Sequence, residues 1–401
     1  MELSTPGPTV GVVGGGQLGR MLGEAAGPLG VELVVLDPTP ACPASSLVRD
    51  QFVGDFDDEA GVRELAERAD VLTYEIELAD PDLLERVSEE TGTPVHPSPA
   101  TLRTIQDKLV QNEWLADAGV PLPEFVGVES AEDLRAAGDA LGWPVMLKAR
   151  RGGYDGRGNL PVEGPDDAER ALAEVGAGDG GALAEALVPF ERELSVVGAK
   201  GASGQAAFDV TETVHREEIL RESVTPARTD EAVIERAREV AGQVLDATDG
   251  RGVFGIELFE TEAGEILVNE VAPRPHNSGH WTIEGAHTSQ FEQHLRAVLG
   301  WPLGDPGLRA PTVTANLLGD AEETTSPATL AGAEAVLSEP RAHLHWYGKR
   351  ETRPLRKMGH VTYVGDERER EGEDDGVRES LETVEALLSR ARERRAEVTV
   401  E

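Results

Sequence analysis

The sequence predicts a mixed α/β protein: a parallel sheet first, an antiparallel one after it, and a smaller unit at the end. Three observations carry that reading. Apolar runs at 9–13, 31–37 and 71–75 alternate with helical stretches, the β-α-β-α-β order of a parallel sheet with helices on its faces. Past residue 123, stretches near 182–187, 194–199 and 207–214 alternate apolar and polar side chains, as half-buried antiparallel strands do. The chain has 401 residues, 39% of them hydrophobic, enough for buried cores in two or three domains.

The first strand runs into Gly14-Gly15-Gly16-Gln17-Leu18-Gly19-Arg20-Met21 and a helix through Ala26, which Gly30 ends. The second strand closes on Asp37, and a helical stretch at 58–69 leads to the third. One helix is predicted over 97–119: Ser98 caps it, Pro99 occupies its first turn, Leu102, Ile105 and Leu109 share a face, and Gly119 stops it. Pro121 and Pro123 then mark a boundary. A helix near 130–141 precedes the strand 145–148 and a glycine-rich segment at 152–158. A helix of 229–247 leads into the apolar strand 252–259, and a turn at 261–264 returns the chain as 266–270. The last third carries strands near 312–318 and 360–364, a solvated charged loop at 366–375 and a polar helix near 377–396.

Charge excludes some functions. Lys+Arg total 37 against 75 Asp+Glu, a formal net charge of −38, which repels nucleic-acid backbones. No apolar run approaches the roughly 20 residues that span a bilayer. Met1-Glu2-Leu3-Ser4 lacks the segments of a signal peptide, and lone Cys42 leaves no disulfide framework, so a cytoplasmic protein is expected. The five lysines are Lys108, Lys148, Lys200, Lys349 and Lys357. An acidic, lysine-poor surface reads as halophilic, suited to salt that screens charges within about 3 Å at 1 M. Each remaining lysine is then a candidate for a specific task.

Four constellations bear chemistry. Gly14-x-Gly16-x-x-Gly19, with Asp37 ending the next strand, fits a dinucleotide phosphate turn and equally a plain turn. Lys148 ends an apolar strand just before a flexible glycine flap, which suits phosphates. Glu257 and Glu270 lie on the two strands of one hairpin. With a two-residue turn, Glu257 pairs opposite Val268, and the carboxylates become diagonal neighbours about 7–8 Å apart on one face, able to grip Mg²⁺. Asn269 then points the other way. His276 and His280 have the spacing of a zinc pair on a helix, but Pro273, Pro275 and Gly279 oppose that helix, and a loop of donors around a small anion fits better. Lys349, Arg350, Arg353, Arg356, Lys357 and His360 concentrate positive charge suited to a phosphate.

Gly16-Gln17-Leu18-Gly19-Arg20-Met21, the 152–158 flap, the run from Asn269 to Trp281, Ser289-Gln290-Phe291-Glu292-Gln293-His294 and Arg356-Lys357-Met358-Gly359-His360 together resemble the 5-(carboxyamino)imidazole ribonucleotide synthase family of ATP-grasp enzymes. The matches extend from about residue 10 to 362. The resemblance implies a Rossmann-like preATP-grasp domain over 1–118, an ATP-grasp domain over 119–306 with a mobile lid at 119–187, and a small C-terminal domain over 307–401. It implies that ATP and bicarbonate react on Mg²⁺ to carboxyphosphate, whose carboxyl group passes to aminoimidazole ribonucleotide. Lys108 and Lys148 would contact the ATP phosphates under a flap of Gly153, Tyr154, Asp155, Gly156, Arg157 and Gly158. Glu185, Ala186, Leu187 and Val188 would supply the adenine hinge, Glu193 the ribose contact, with His215 beside it. Glu257 and Glu270 would bind Mg²⁺ with Asn269 alongside. Gln17, Leu18, Glu75, Tyr154, Asn277, Lys349, Arg356 and Lys357 would hold the acceptor. Asp155, Arg157, Arg274 and His276 carry the expected catalysis. The family habit implies a homodimer and a hand-off of product to a mutase.

Three other readings share parts of this pattern. A formate-dependent glycinamide ribonucleotide transformylase and a biotin carboxylase share the metal hairpin but not the His276–Trp281 run. An NAD-dependent oxidoreductase accounts for the first glycine cluster and leaves Glu257, Glu270 and the flap without a task.

Overall fold

The computed structural model describes residues 4–152, 158–176, 181–320, 325–366 and 373–401, without the side chains of 373–382. The flap residues Gly153, Tyr154, Asp155, Gly156 and Arg157 lie outside the described residues. The predicted parallel sheet is present, in the order Asp50–Phe52, Glu32–Leu36, Thr9–Val13, Val71–Tyr74. Its pairings run Thr9↔Glu32 to Val13↔Leu36 and Val10↔Val71 to Val13↔Tyr74. Both faces are covered, so its central strands are buried almost throughout and mostly apolar. Helix Gln17–Leu29 packs on one face; Glu59–Arg68 and Pro81–Thr91 pack on the other. The strand order reverses between Thr9–Val13 and Val71–Tyr74, and loops leaving the carboxyl ends of such strands form a crevice. Gly14–Gly16 and Glu75 stand there.

Several sequence expectations change. The first helix runs to Leu29, beyond Ala26, and stops at Gly30, whose φ of +67° suits glycine. Helix 97–119 is broken into Pro99–Ile105 and Lys108–Asp117. Asp107 takes φ −113°, ψ 107° and accepts from the N–H groups of Leu109 and Val110, so an internal cap overrides the continuous apolar period. Strand Asp50–Phe52 and helix Pro81–Thr91 were not anticipated, although Asp80 caps that helix and Pro81 opens it.

The antiparallel part is two sheets where the sequence suggested one. Phe125–Val128, Ala182–Ala186, Val145–Ala149 and Asn159–Val162 form a small sheet under helices Ala131–Leu141 and Ala168–Val175. The 182–187 stretch is thus separated from 194–199 by Leu187-Val188-Pro189, where a proline without an N–H interrupts the ladder. Among the described residues nine strands make the large sheet. Its main path is Ile266–Ala272, Gly252–Thr261, Phe190–Lys200, Thr211–Arg216, Ile219–Thr225, Thr312–Leu318, Lys357–Val364, Ala342–Trp346. The pair Glu222↔Ala315 carries this sheet from the middle of the chain into its last third. Helix Glu373–Arg395 lays Val384, Leu387, Leu388 and Ala391 on Val313, Ala315 and Leu317. It takes in the end of the expected 366–375 loop, of which 367–372 lie outside the described residues.

Candidate active site

The hairpin Gly252–Thr261/Ile266–Ala272 positions the acidic pair. Its connection is longer than two residues, closed by Thr261 N–H to Glu265 O at 3.0 Å. The register is Glu257↔Glu270 and Leu258↔Val268, which leaves Asn269 as the extra residue of a bulge. The predicted pairing of Glu257 opposite Val268, with the two carboxylates diagonal, is therefore corrected to a direct opposition of Glu257 and Glu270, whose Cβ atoms in such pairs are about 5 Å apart. The bulge also re-aims Asn269, expected to face away. Its Oδ1 accepts from Lys148 Nζ at 3.0 Å.

Around this pair the basic side chains gather. Lys148 Nζ lies 2.6 Å from Glu185 Oε2, and Asn112 Nδ2 donates to the other Glu185 oxygen at 2.9 Å. Lys108 Nζ lies 3.4 Å from Glu270 Oε2. Burial would raise the Glu270 carboxyl, but the Lys108 and Lys148 ammonium groups outweigh it and hold it below the usual range. Glu257 is raised, mainly by burial, with the Glu270 charge adding to it and His215 opposing. His215 Nδ1 donates to Glu193 Oε2 at 2.9 Å; burial disfavours its charge, yet that carboxylate and Glu257 lift its pKa above the ordinary value. Leu187 is exposed, and Phe190 stacks on Phe259 with 4.9 Å between centroids.

The crevice of the first sheet faces the same hairpin through Arg274. Glu75 accepts from Gly16 N–H and, at 2.6 Å, from Gly19 N–H at the helix start, while Asp37 accepts from Gly15 at 2.8 Å. A Cβ on residue 16 would come within 2.7 Å of Glu75 Oε1, so a side chain there would have to displace that carboxylate. Carboxylates thus occupy the amides that a dinucleotide pyrophosphate would need. Burial pushes Glu75 up to about 7 despite those two N–H groups. Arg274 Nη2 meets Glu77 Oε1 at 2.8 Å.

The proline-interrupted loop is held by hydrogen bonds. Gln290 brackets His276, accepting from its N–H at 2.8 Å and donating to its carbonyl at 2.7 Å. Ser278 Oγ reaches His276 Nδ1 at 2.8 Å and Ser195 Oγ at 2.6 Å. Burial, with Arg274 and Lys357 nearby, pushes His276 well below the ordinary histidine range, so it is neutral. Since Ser278 N–H also donates toward Nδ1, the proton belongs on Nε2, 3.7 Å from Glu257 Oε1. Both side-chain polar atoms of Asn277 are buried without a protein partner, at 6% residue exposure. His280 does not join His276; it stacks on His360 at 4.8 Å. Among the described residues no three His, Cys, Asp or Glu side chains gather to hold a metal ion.

On the far side of the crevice Lys349 Nζ donates to Gln17 Oε1 at 2.7 Å and to Lys357 O at 2.5 Å, while Arg356 reaches Glu351 O at 2.6 Å. Leu18 is buried in the helix core, which leaves only its backbone for a ligand. The structure therefore brings Lys108, Lys148, Glu185, Asn269, Glu270, Glu257, His215 and Glu193 to one region and Gln17 and Lys349 to another, with the Lys357 charge near enough to act on Glu257, His215 and His276. Sequence reasoning missed Glu77, Asn112, Ser195 and Asp107. Only Asp107 left a signal, as a capping residue just before a lysine.

Three family models match successive parts of the chain. Residues 8–106 match the ribonucleotide synthetase preATP-grasp domain, 113–291 the ATP-grasp domain, and 312–373 the phosphoribosylaminoimidazole carboxylase C-terminal domain. Fold and site define an ATP-binding ligase of the ATP-grasp class. The chain is 41% identical over 360 residues to the N5-carboxyaminoimidazole ribonucleotide synthase of Brucella melitensis, covering 90% of this chain and 97% of that one. It belongs to the N5-carboxyaminoimidazole ribonucleotide synthase family. It is also 45% identical to the chloroplastic phosphoribosylaminoimidazole carboxylase of Vigna aconitifolia, of whose length it spans 64%, with 89% of this chain aligned. The crystal structure of the Thermotoga maritima synthetase superposes with a TM-score of 0.83 at 40% identity, over 98% of this chain and 99% of that one. The Aspergillus clavatus synthase in complex with ADP and 5-aminoimidazole ribonucleotide gives 0.85 at 35% identity, over 97% of this chain and 100% of that one.

Proposed function

We propose that this chain joins bicarbonate to the exocyclic amine of 5-aminoimidazole ribonucleotide, at the expense of ATP, giving N5-carboxyaminoimidazole ribonucleotide for purine synthesis. The observation that carries this is the gathering of Lys108, Lys148, Asn269 and Glu270 beside Glu257.

Lys108 and Lys148 bind the ATP phosphates. Glu185, Ala186, Leu187 and Val188 border adenine, and Glu193, paired with His215, takes the ribose. The donor set of Glu257, Glu270 and Asn269 fits Mg²⁺, which takes oxygen ligands from one or two carboxylates and completes its shell with phosphates and water. When bound, the ion supplies charge neutralisation for phosphoryl transfer. Bicarbonate attacks the γ-phosphorus, and ADP leaves. Carboxyphosphate is water-labile, so the flap from Gly153 to Gly158 closes before it forms. Arg274, released from Glu77, steadies its negative charge. Neutral His276 donates from Nε2, and Asp155 receives a proton from bicarbonate or from the attacking amine. Gln17, the Leu18 backbone, Glu75, Tyr154, Arg157 and Asn277 orient the acceptor, whose phosphate rests on Lys349, Arg356 and Lys357.

The same reading assigns the preATP-grasp domain to 1–118, the ATP-grasp domain to 119–306 and the small domain to 307–401. It also carries a homodimer, a cytoplasmic place of work and transfer of the product to a mutase. A net charge of −38 with five lysines supports a salt-adapted surface, checked by a melting temperature that rises in molar KCl. The function is tested by ADP release with bicarbonate or formate, each with and without aminoimidazole ribonucleotide. Turnover that needs bicarbonate and rises with the acceptor supports the reading; preference for formate overturns it.

A further inference from the structure

Asp107 stands where three parts of the nucleotide site meet. Its carboxylate, 3% exposed, caps helix Lys108–Asp117 through Leu109 N–H at 3.2 Å and Val110 N–H at 3.4 Å. The same group receives both prongs of Arg150, Nε on Oδ1 at 2.9 Å and Nη2 on Oδ2 at 2.7 Å. Arg151 Nε lies 3.3 Å from Oδ2. A second tie joins the same segments, Lys108 N–H to Arg150 O at 2.9 Å. Arg150 stands two residues past Lys148 and directly before the segment 151–158, whose far end is closed by Ala149 N–H to Gly158 O at 2.7 Å.

One buried carboxylate thus fixes the start of the Lys108 helix, the end of the Lys148 strand and the root of the flap. A cap alone does not demand this residue, since Ser or Asn serves as well. The planar two-pronged pair does, because it sets orientation as well as distance. Burial would raise the Asp107 carboxyl, yet the Arg150 fork and the Val110 N–H hold it below its usual range.

We propose that Asp107 is a positioning residue for ATP: through Arg150 it holds Lys108 and Lys148 in register, so that both ammonium groups engage the phosphates together. This rests on the reading above that these lysines contact ATP.

Asp107→Asn keeps the cap and the volume but loses the ion pair, and Arg150→Gln loses the pair while leaving the cap untouched. Both are expected to raise KM for MgATP about tenfold with a smaller change in kcat, leaving KM for the acceptor unchanged. The double variant is expected to be no worse than either single one, because the two act as a unit. Titration with MgADP reads the same loss without turnover, so failure of the carboxylation reading stays separate from failure of this one. A folded Arg150→Gln protein with wild-type affinity for MgATP and MgADP overturns the proposal. So does a double variant whose losses simply multiply.

Discussion

Glu257 lies directly across the hairpin from Glu270, and it does so because Asn269 is the extra residue on the Ile266–Ala272 strand. One bulge faces two carboxylates toward each other and turns an amide onto Lys148. Bulges beside active sites commonly re-aim a side chain in this way. The pair is asymmetric as well: Glu257 is raised by burial, and Glu270 is lowered by its lysines.

If this pair holds the metal, Glu257→Gln and Glu270→Gln each cost on the order of 100-fold in kcat for ADP formation. Steady-state kinetics over a Mg²⁺ series check this. The loss is expected to shrink only slightly at saturating Mg²⁺, because a neutral amide is a poorer ligand at any concentration.

Lys148→Ala leaves Glu185 with a buried charge at 5% side-chain exposure. Breaking a buried pair from one side costs about 3–5 kcal/mol. Chemical denaturation is expected to give that loss, and Glu185→Gln added to it to restore part of it. Independent, additive losses would show that the two side chains are not paired.

Asn277 offers the opposite case. Its amide is buried without a partner, so Asn277→Ala removes a cost of about 1–3 kcal/mol in place of a bond. The variant is expected to melt no lower than the parent while its KM for the acceptor rises at least about tenfold. A large fall in melting temperature with unchanged KM would mean that the residue serves the fold.

Glu75 gives the pH prediction. Its pKa rises from 4.5 to about 7 on folding, chiefly by burial. The folded state therefore holds this proton more tightly than the unfolded state does. Its contribution to stability is full below pH 4.5 and declines as pH rises through about 7. Denaturation of the wild type and Glu75→Gln across this range is expected to show the wild type losing stability relative to the variant. A constant difference would contradict the assignment.

The succession of strands along the chain and the residues that gather around the acidic hairpin were legible because they rest on local signals. Short apolar runs between glycines gave the parallel sheet, and of the five lysines Lys108 and Lys148 stand beside the acidic hairpin while Lys349 contacts Gln17 and the Lys357 carbonyl. What escaped the sequence was register and partnership. No periodicity announces that Asn269 bulges, since the turn and the neighbouring strand Phe190–Lys200 decide the register together. The break at Asp107 was hidden by Leu102, Ile105 and Leu109, which keep a helical spacing across it. Likewise 182–187 looked continuous with 194–199 until Pro189 sent the two into different sheets. Glu77 left no trace, because its partner Arg274 is nearly two hundred residues away.

The central claim is that ATP activates bicarbonate at this hairpin before the carboxyl group reaches the amine. Turnover with ¹⁸O-labelled bicarbonate measures it directly. Attack by a bicarbonate oxygen on the γ-phosphorus makes the bridging atom of carboxyphosphate, and cleavage of its C–O bond leaves that atom on phosphate. The account predicts one labelled oxygen in each phosphate released with product. Unlabelled phosphate accompanying full carboxylation would contradict it.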